Sequence, residues 1–259
     1  MHSRCVIGAV LCFWCSTWTV AAQTPPPPPP PKEPPPLWDA EVGFSYVGTN
    51  GNTDTSSLGA AFAAHRRWPL WQIEAAATAV NTTDNGTTTA ARYLGSFRAQ
   101  RKLTDRLGVS TGIRLERDHL SGIDFRSILD GGLTYKLIRR PYWTLDSLTG
   151  LGWDHEARVV PPDEDDFQAV LQALSKFLLG TAGETTQRFT FYPDFTNSTA
   201  YRSEAEVTVQ AAMNKRLALK FGFLWRYSHE PVPGFKRSDT TTTASLVVRW
   251  RAATPAPAP

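Results

Sequence analysis

The sequence has few cysteines and no excess of charge of one sign. Only three of its 259 residues are cysteines, and all of them (Cys5, Cys12 and Cys15) lie near the start. A mature chain without this segment would have no thiol, which excludes disulfides and cysteine chemistry as its basis. Lysine and arginine number 27 against 24 aspartates and glutamates, and they form no basic run. This balance excludes the electrostatic field expected of a nucleic-acid-binding protein.

Residues 1–22 have the pattern of a secretory signal peptide. A short polar start precedes an apolar segment at 6–20, and the small residues Ala21 and Ala22 stand at the cleavage position. The apolar segment is too short and wrongly flanked for a membrane-spanning helix. The bulky residues before Cys12 and Cys15 disfavour a lipoprotein. We therefore predict secretion of this chain through the inner membrane.

Proline-rich segments flank the rest of the chain. Residues 25–31 and 34–36 are all proline, and such runs are extended and semi-rigid, at about 3.1 Å per residue. We predict that residues 23–36 form a periplasmic linker. Residues 251–259 are rich in alanine and proline and are predicted to form a disordered tail. One domain is then predicted at 37–250.

The segment 217–250 carries the pattern on which the predicted fold depends. Within 217–228, every second residue is large and apolar, and the residues between them are mostly small or charged. Side chains of a strand alternate between two faces, so this segment has one apolar and one polar face. After a polar loop at 230–237, residues 240–250 repeat the pattern. Segments of about ten residues with this alternation are typical of transmembrane β-strands.

The same alternation recurs through the domain and predicts about twelve strands, an even number that places both termini on the same side. A polar loop at 82–87 and an acidic loop at 159–166 separate two of the predicted strand pairs. We predict an all-β fold, an antiparallel transmembrane β-barrel of about twelve strands with an N-terminal signal peptide and a proline-rich arm. The predicted strands lie near 38–46, 58–64, 71–79, 92–100, 107–116, 125–137, 143–154, 171–179, 187–192, 201–213, 217–228 and 240–250.

Alternation alone does not decide whether the apolar face points into the protein or outward. A soluble barrel or sandwich would bury this face. Two features favour a membrane. Charged residues stand in the middle of strands on the polar face, which fits an outer-membrane barrel with a polar interior. The aromatic residues gather at strand ends, as expected of girdles at the two bilayer interfaces. With a periplasmic N-terminus, one girdle has Trp38, Trp68, Trp71, Trp143 and Trp250, and the other has Phe125, Trp153, Phe167, Tyr201, Trp225 and Tyr227.

The residues predicted to face the lumen include both signs of charge and many long side chains. A charged group removed from water needs a partner, so we predict a cross-linked polar network in a narrow lumen. The predicted inward set is Glu41, Glu74, Arg92, Arg98, Arg114, Glu116, Arg126, Asp130, Lys136, Asp146, Glu204, Glu206, Lys220 and Arg226.

One segment resembles a known family. Residues 116–126 read ERDHLSGIDFR, and GGLTY follows at 131–135. With the hairpin sequence GTNGNTDTSSL at 48–58, these residues resemble the salt-induced outer-membrane proteins, a family whose domain has no assigned function. The likeness covers about 40–250. It implies an outer-membrane β-barrel and brings no catalytic residues. The tail after Trp250 departs from the pattern, since barrels of this kind usually end at that aromatic residue.

Three acidic residues stand beside histidines at the predicted extracellular rim. Histidine titrates near neutrality, and a carboxylate can orient it for acid–base chemistry. Adjacent residues of a strand point to opposite faces, however, so these pairs are predicted to form no dyad. Ser228 with His229 is better explained as a strand end, and the acids at 163–166 as solvated rather than Ca²⁺-binding. The three pairs are Asp118 with His119, Asp154 with His155, and Glu230 with His229.

We therefore predict an integral protein of the bacterial outer membrane with no catalytic residue, cofactor or metal. Its predicted role is passive, either structural or a narrow pore, and linked to envelope or salt stress. The alternative is a hydrolase at the rim that uses the extracellular aspartates and histidines. The expected partners are outer-membrane lipids, lipopolysaccharide and the barrel-assembly machinery, with no nucleic acid.

Overall fold

A computed structural model describes residues 37–49, 55–84, 87–197 and 199–251. The predicted signal peptide, the linker and the tail after residue 251 lie outside these residues. The described part contains twelve strands and one 3₁₀ helix, His119–Ser121. The strands are β1 Trp38–Thr49, β2 Thr55–Arg67, β3 Trp71–Asp84, β4 Thr87–Lys102, β5 Leu107–Asp118, β6 Ile123–Arg139, β7 Trp143–Arg158, β8 Glu164–Leu179, β9 Gly183–Pro193, β10 Tyr201–Ala212, β11 Leu217–Ser228 and β12 Ser238–Arg251.

The strands form a closed antiparallel barrel in which each strand pairs with its neighbours in the chain. The first and last strands close the ring, with Ala40 opposite Trp250 and Phe44 opposite Leu246. Closure leaves no sheet edge unpaired, which is what a strand in lipid requires because no water is there to bond its backbone. The predicted fold, an antiparallel transmembrane barrel of twelve strands, is confirmed.

The apolar face of the strands points outward. Phe44, Leu129 and Phe221 are 58%, 58% and 56% exposed on the outer wall. A soluble protein rarely exposes so much continuous apolar surface, whereas a bilayer covers it. The strands have from 11 to 17 residues. A tilted strand needs about 9–11 residues to cross the hydrocarbon core, so the barrel extends beyond it.

The two ends of the barrel differ in the length of their connections. One end carries both described chain ends and short turns, such as 68–70 and 180–182; we refer to it as the turn end. The opposite end, the loop end, carries the longer loops 159–163, 194–200 and 229–237. This asymmetry is typical of outer-membrane barrels, whose periplasmic turns are short and whose extracellular loops are long.

Exposed aromatic residues form a band at each end of the barrel. Trp38, Trp71 and Trp250 lie at the turn end, and Trp153 and Phe167 lie opposite each other near the loop end. Tryptophan and tyrosine prefer the membrane–water interface because their rings are amphipathic. The two predicted girdles are confirmed, and the distance between them marks the part of the wall that faces hydrocarbon.

Two predicted loops are shorter in the structure. The acids Glu164 to Asp166 belong to β8 rather than to the loop, and β3 continues to Asp84 where a polar loop was predicted from residue 82. Both segments are polar strand ends that project beyond the membrane, where alternation no longer distinguishes a strand from a loop. No helix among the residues with described coordinates is long and apolar enough to cross a membrane.

Candidate functional site: the charged lumen

The inner wall carries most of the polar side chains of the strands, and most of the charged ones have a partner of opposite charge. Glu74 accepts a hydrogen bond from Gln72 at 2.6 Å, and Lys136 stands opposite Asp146 in the β6–β7 register. The predicted polar network is therefore confirmed. The ion pairs that involve predicted inward residues include Glu41 with Lys220, Arg92 with Glu116, Arg98 with Asp130, Arg114 with Glu204, Arg126 with Asp154, Asp146 with Arg139, Glu206 with Arg188, and Arg226 with Glu116.

Glu116 is the centre of the first cluster in this network. Its side chain is only 1% exposed, and three guanidinium groups surround it. Arg226 Nη1 donates to Oε1 at 2.6 Å, Arg92 Nη2 donates to the same oxygen at 3.2 Å, and Arg114 Nη2 donates to Oε2 at 3.3 Å. A carboxylate removed from water costs free energy unless it is paired, and here the pairing comes from three strands.

Two arginines of this cluster connect opposite walls of the barrel. Arg226 of β11 binds Glu116 and Asp118 of β5, and these strands are six positions apart in the ring of twelve. Arg114 of β5 makes a bidentate pair with Glu204 of β10, at 2.7 and 2.9 Å. Bidentate pairs of this type are strong and directional, so the bonds hold the side chains across the bore rather than along the wall.

A second cluster lies beside the first, on β6, β7 and β10. Asp154 is 1% exposed and pairs with Arg202 and with Arg126, whose Nε lies 3.7 Å from Oδ1. Arg126 also binds Glu156, and Arg202 donates to Gln168 Oε1 at 2.8 Å. Leu148, Val170 and Tyr192 form a small apolar cluster on the inner wall, and Arg202 stands 5.4 Å from the Tyr192 ring centroid. The residues of this cluster thus pair with one another on the inner wall near the loop end.

A glycine makes room for the arginine that extends the network toward the turn end. Arg98 lies on β4, and its Nη2 donates a hydrogen bond to Oδ2 of Asp130 on β6, at 2.8 Å. A Cβ atom on Gly112 would lie 2.8 Å from the Arg98 guanidinium nitrogen Nη2. The side chain of Arg98 therefore lies flat over the β5 backbone, a position that any larger residue at 112 would block.

The turn end carries smaller, separate ion pairs. His65 Nδ1 lies 2.9 Å from Asp39 Oδ2, and Arg67 lies 2.5 Å from Oδ1 of the same carboxylate. In the β4–β5 turn, a hydrogen bond from Lys102 lowers the pKa of the exposed Asp105 carboxyl. These pairs line the mouth of the barrel and do not cross it.

Several members of the network were not in the predicted inward set. Asp118 and Glu156 lie at or near the loop-end termini of β5 and β7, past the predicted strand ends, and Arg202 follows Tyr201 at the start of β10. The alternation in β5, β7 and β10 continues to these positions, and extending the period of two to the strand ends would have included them. Their partners could not be found in this way, because a bond across the bore joins residues far apart in sequence.

Comparison with known proteins places this barrel in a family. Residues 42–250 match the family described as "Protein of unknown function, DUF481", a span from β1 to β12. The chain belongs to this family. No curated protein matches the sequence.

Solved structures of outer-membrane barrels resemble the fold of this DUF481 chain at low identity. The NanC porin is 11% identical, with 82% of this chain and 97% of that chain covered and a TM-score of 0.47. The COG4313 outer membrane channel from Pseudomonas putida F1 is 8% identical, covers 84% and 96%, and has a TM-score of 0.47. A bacterial polysaccharide outer membrane secretin is 10% identical, covers 85% and 100%, and has a TM-score of 0.43.

The predicted rim pairs of this DUF481 barrel point to opposite sides of the wall. Asp118 is buried against Arg226 on the inside, whereas His119 is exposed and accepts a hydrogen bond from Arg117 Nε at 3.1 Å. Asp154 likewise faces inward to Arg202. The prediction that adjacent acids and histidines form no dyad is confirmed for these two pairs.

The other rim histidines make contacts of a different kind. His155 pairs with Asp165 of the neighbouring strand, at 2.8 Å, and both side chains are about half exposed. His229 stacks on Tyr201 with ring centroids 4.8 Å apart. Its neighbour Glu230 accepts hydrogen bonds from Asn197 and Thr199, at 3.0 and 2.6 Å. His155 lies on β7 and His229 in the loop after β11, so these two histidines belong to separate parts of the rim.

The acids at 163–166 are also separated. Asp163 accepts a hydrogen bond from the Arg158 backbone N–H at 3.0 Å, and Glu164 pairs with the Arg158 side chain. Asp165 faces outward to His155, while Asp166 faces the lumen. Across the residues with described positions, no group of three acidic, histidine or cysteine side chains could hold a metal ion. Ser228, beside His229, donates to the Glu230 carbonyl at 3.1 Å.

Proposed function

We propose that this protein is an integral barrel of the bacterial outer membrane whose lumen is narrow and largely occupied, and which acts as a structural element or as a pore for very small solutes. Its outer wall suits lipids and lipopolysaccharide, and its insertion would need the barrel-assembly machinery. The loop end would face the exterior and the turn end the periplasm. We include a link to salt or envelope stress in this proposal, and its only support is the resemblance of the sequence to the salt-induced outer-membrane proteins.

The observation that carries the proposal is the set of ion pairs that cross the bore. Barrels of about eight strands are filled by side chains, and those of sixteen or more leave an aqueous channel. Twelve strands fall between these limits, so the side chains decide whether the lumen is open. Arg226 and Arg114 reach from one wall to acids on another, and Glu116, Asp118 and Asp154 are almost completely buried. A large solute could pass only if these pairs separated.

Separating the pairs is costly in this environment. Removing one partner from a buried ion pair costs about 3–5 kcal/mol because it leaves a charge without compensation. Exposed pairs contribute far less, about 0–1 kcal/mol. The network near the loop end consists of the buried kind, which favours a lumen that stays occupied over one that fluctuates open.

Conductance of the purified protein in planar bilayers tests the proposal. We expect small or no conductance from the wild type, and larger conductance when Arg98, Arg114 and Arg226 are all replaced by alanine. The matched control is Arg117→Ala, which removes an arginine from the outer face, where it pairs with Asp124 at 2.9 Å. The control should conduct like the wild type. A wild-type protein that lets sugars pass freely in liposome swelling would overturn the proposal and indicate a general porin.

A further inference from the structure

The longest described loop of the barrel folds over its mouth. Residues 229–237 connect β11 to β12, and we name them the lid. The Val232 side chain in the lid is only 3% exposed, although it belongs to a surface loop. This burial shows that the lid packs against the barrel rather than extending into solvent.

The lid reaches the wall opposite its own strands. The Phe235 ring packs against Gly122, in the connection between β5 and β6, and β5 is six positions away from β11 in the ring. On the near side, Glu230 binds Thr199 and Asn197 of the β9–β10 loop. Contacts on both sides of the bore mean that the lid crosses it.

Gly122 is suited to this contact for two reasons. Its φ of 76° lies in the left-handed region, which favours glycine. A Cβ atom there would lie 2.6 Å from the Phe235 ring. The glycine thus forms both the turn and the flat surface on which the ring rests.

A small cavity separates the lid from the ion-pair network. Its volume is about 60 Å³, and its lining includes Val232 of the lid, Ile123, Arg126, Arg202 and Arg226. A water molecule needs about 10–15 Å³ of such volume, so this cavity suits a few waters. Ile123 is 4% exposed, and it and Val232 are the buried aliphatic residues of a lining that is otherwise mostly polar, with Lys236 and Arg237 also contributed by the lid.

The lid and the network meet at one hydroxyl group. Ser121 Oγ lies 3.2 Å from Asp118 of the network and 3.1 Å from Asp239, at the start of β12 where the lid ends. Arg226 Nη2 donates to the same hydroxyl at 3.3 Å. A movement of the lid stem therefore changes the surroundings of the arginine that crosses the bore.

We propose that the lid is a gate, in series with the ion-pair network and coupled to it through Ser121. In the closed state, the lid holds Val232 buried in the mouth and narrows the space above the network to the small cavity, so that passage is limited there. The gate opens when Phe235 leaves Gly122, which exposes Val232 and changes the contacts next to Asp239 at the start of β12. This inference rests on the proposed narrow lumen, since a gate has an effect only where the mouth limits passage.

Cysteine labelling tests whether the lid is closed, independently of conductance. Val232→Cys and Pro233→Cys place a thiol at neighbouring positions, of which 232 is buried and 233 exposed. Expression of residues 23–259 leaves out Cys5, Cys12 and Cys15, so the introduced cysteine supplies the thiol that reacts. With a polar maleimide, we expect slow labelling at 232 and fast labelling at 233. Addition of Phe235→Ala should accelerate labelling at 232 several-fold and leave 233 unchanged. The lid is not closed if the two thiols are labelled at equal rates in the otherwise unchanged chain. The same conclusion follows if Phe235→Ala does not change the labelling rate at 232.

Conductance then tests whether the lid acts in series with the network. Phe235→Ala alone should give brief openings, the triple arginine variant a larger current, and the combination a current that exceeds the sum of the two. Pro233→Ala is the control within the lid. If the combination conducts no more than the triple variant, the lid is not a gate. If the wild type already passes sugars, the narrow lumen is wrong, and labelling still reports separately on the lid.

Discussion

At the scale of single residues, Glu116 is the position on which the network depends most. Its carboxylate accepts hydrogen bonds from Arg92, Arg114 and Arg226. We expect Glu116→Gln to lower the free energy of unfolding by about 3–5 kcal/mol, because it leaves buried guanidinium groups without a full countercharge. Urea unfolding in lipid vesicles, followed by tryptophan fluorescence, measures the change.

The matched control for this substitution is Glu206→Gln. Glu206 also faces the lumen, but it is 38% exposed and pairs with Arg188 at 3.2 Å. An exposed pair contributes about 0–1 kcal/mol, so this variant should unfold almost like the wild type. Equal losses of unfolding free energy in the two variants would contradict the expectation that the more buried ion pair contributes more to stability.

A second residue-scale prediction concerns the approach of β6 and β7. Gly132 and Gly150 are opposite each other, and a Cβ atom on Gly132 would lie 2.5 Å from the Thr149 carbonyl oxygen and 2.6 Å from Gly150 Cα. Because backbone cannot move aside easily, we expect Gly132→Ala to destabilise the barrel by about 1–3 kcal/mol in the same urea experiment.

Gly131→Ala is the control for Gly132→Ala. The nearest atom to a Cβ at that position is the Ser110 carbonyl oxygen at 3.7 Å, an ordinary contact. Alanine there should be tolerated. A stable Gly132→Ala variant would mean that the two strands separate more readily than the structure indicates.

At the scale of one element, β11 permits a direct test of which face meets lipid. Leu219 and Phe223 are 41% and 46% exposed on the outer wall, whereas Lys220 points inward to Glu41 at 2.7 Å. An arginine on the lipid face costs about 2–4 kcal/mol at the bilayer midplane. Leu219→Arg and Phe223→Arg should therefore reduce assembly much more than Lys220→Ala, as measured by the folded fraction in membranes. Equal assembly of all three variants would contradict the assignment of Leu219 and Phe223 to the lipid face and of Lys220 to the lumen.

The strands also differ in how well the sequence predicts them. β11 alternates strictly over its whole length, and its predicted bounds, 217–228, agree with the structure. β8 begins at Glu164 in a run of acids, and only its second half was predicted, because consecutive acids carry no period of two. β9 is longer than predicted, since its first residues, Gly183 to Thr186, are small or polar on both faces.

At the scale of the whole molecule, closure between β1 and β12 determines the behaviour in detergent. A ring without a free edge resists unfolding, so we expect the mature chain to fractionate with the outer membrane and to migrate differently on gels before and after heating. Val247 stands opposite Gly43 of β1 and opposite Ala218 of β11, so it lies in the closing seam.

Val247→Pro should abolish the heat-dependent shift, since proline removes a backbone donor from the ladder. Val247→Ala, which keeps that donor, should retain the shift. Recovery of the wild-type chain in the soluble periplasmic fraction would contradict the membrane barrel itself.

The sequence alone determined the transmembrane barrel, the number of strands and the face that each strand turns to lipid. These properties follow from local patterns. The two-residue period gives the strands, and the charges on the polar face with the aromatic residues at strand ends indicate which face meets lipid. The sequence also indicated that the lumen would contain paired charges, since both signs occur on the inward face. Only the tertiary structure decided which charges pair. Ring closure places β5 opposite β11 and brings Arg226 to Glu116, 110 residues away in the chain. The same closure brings Phe235 to Gly122, so the lid, like the network, depends on distances across the bore that no local pattern contains.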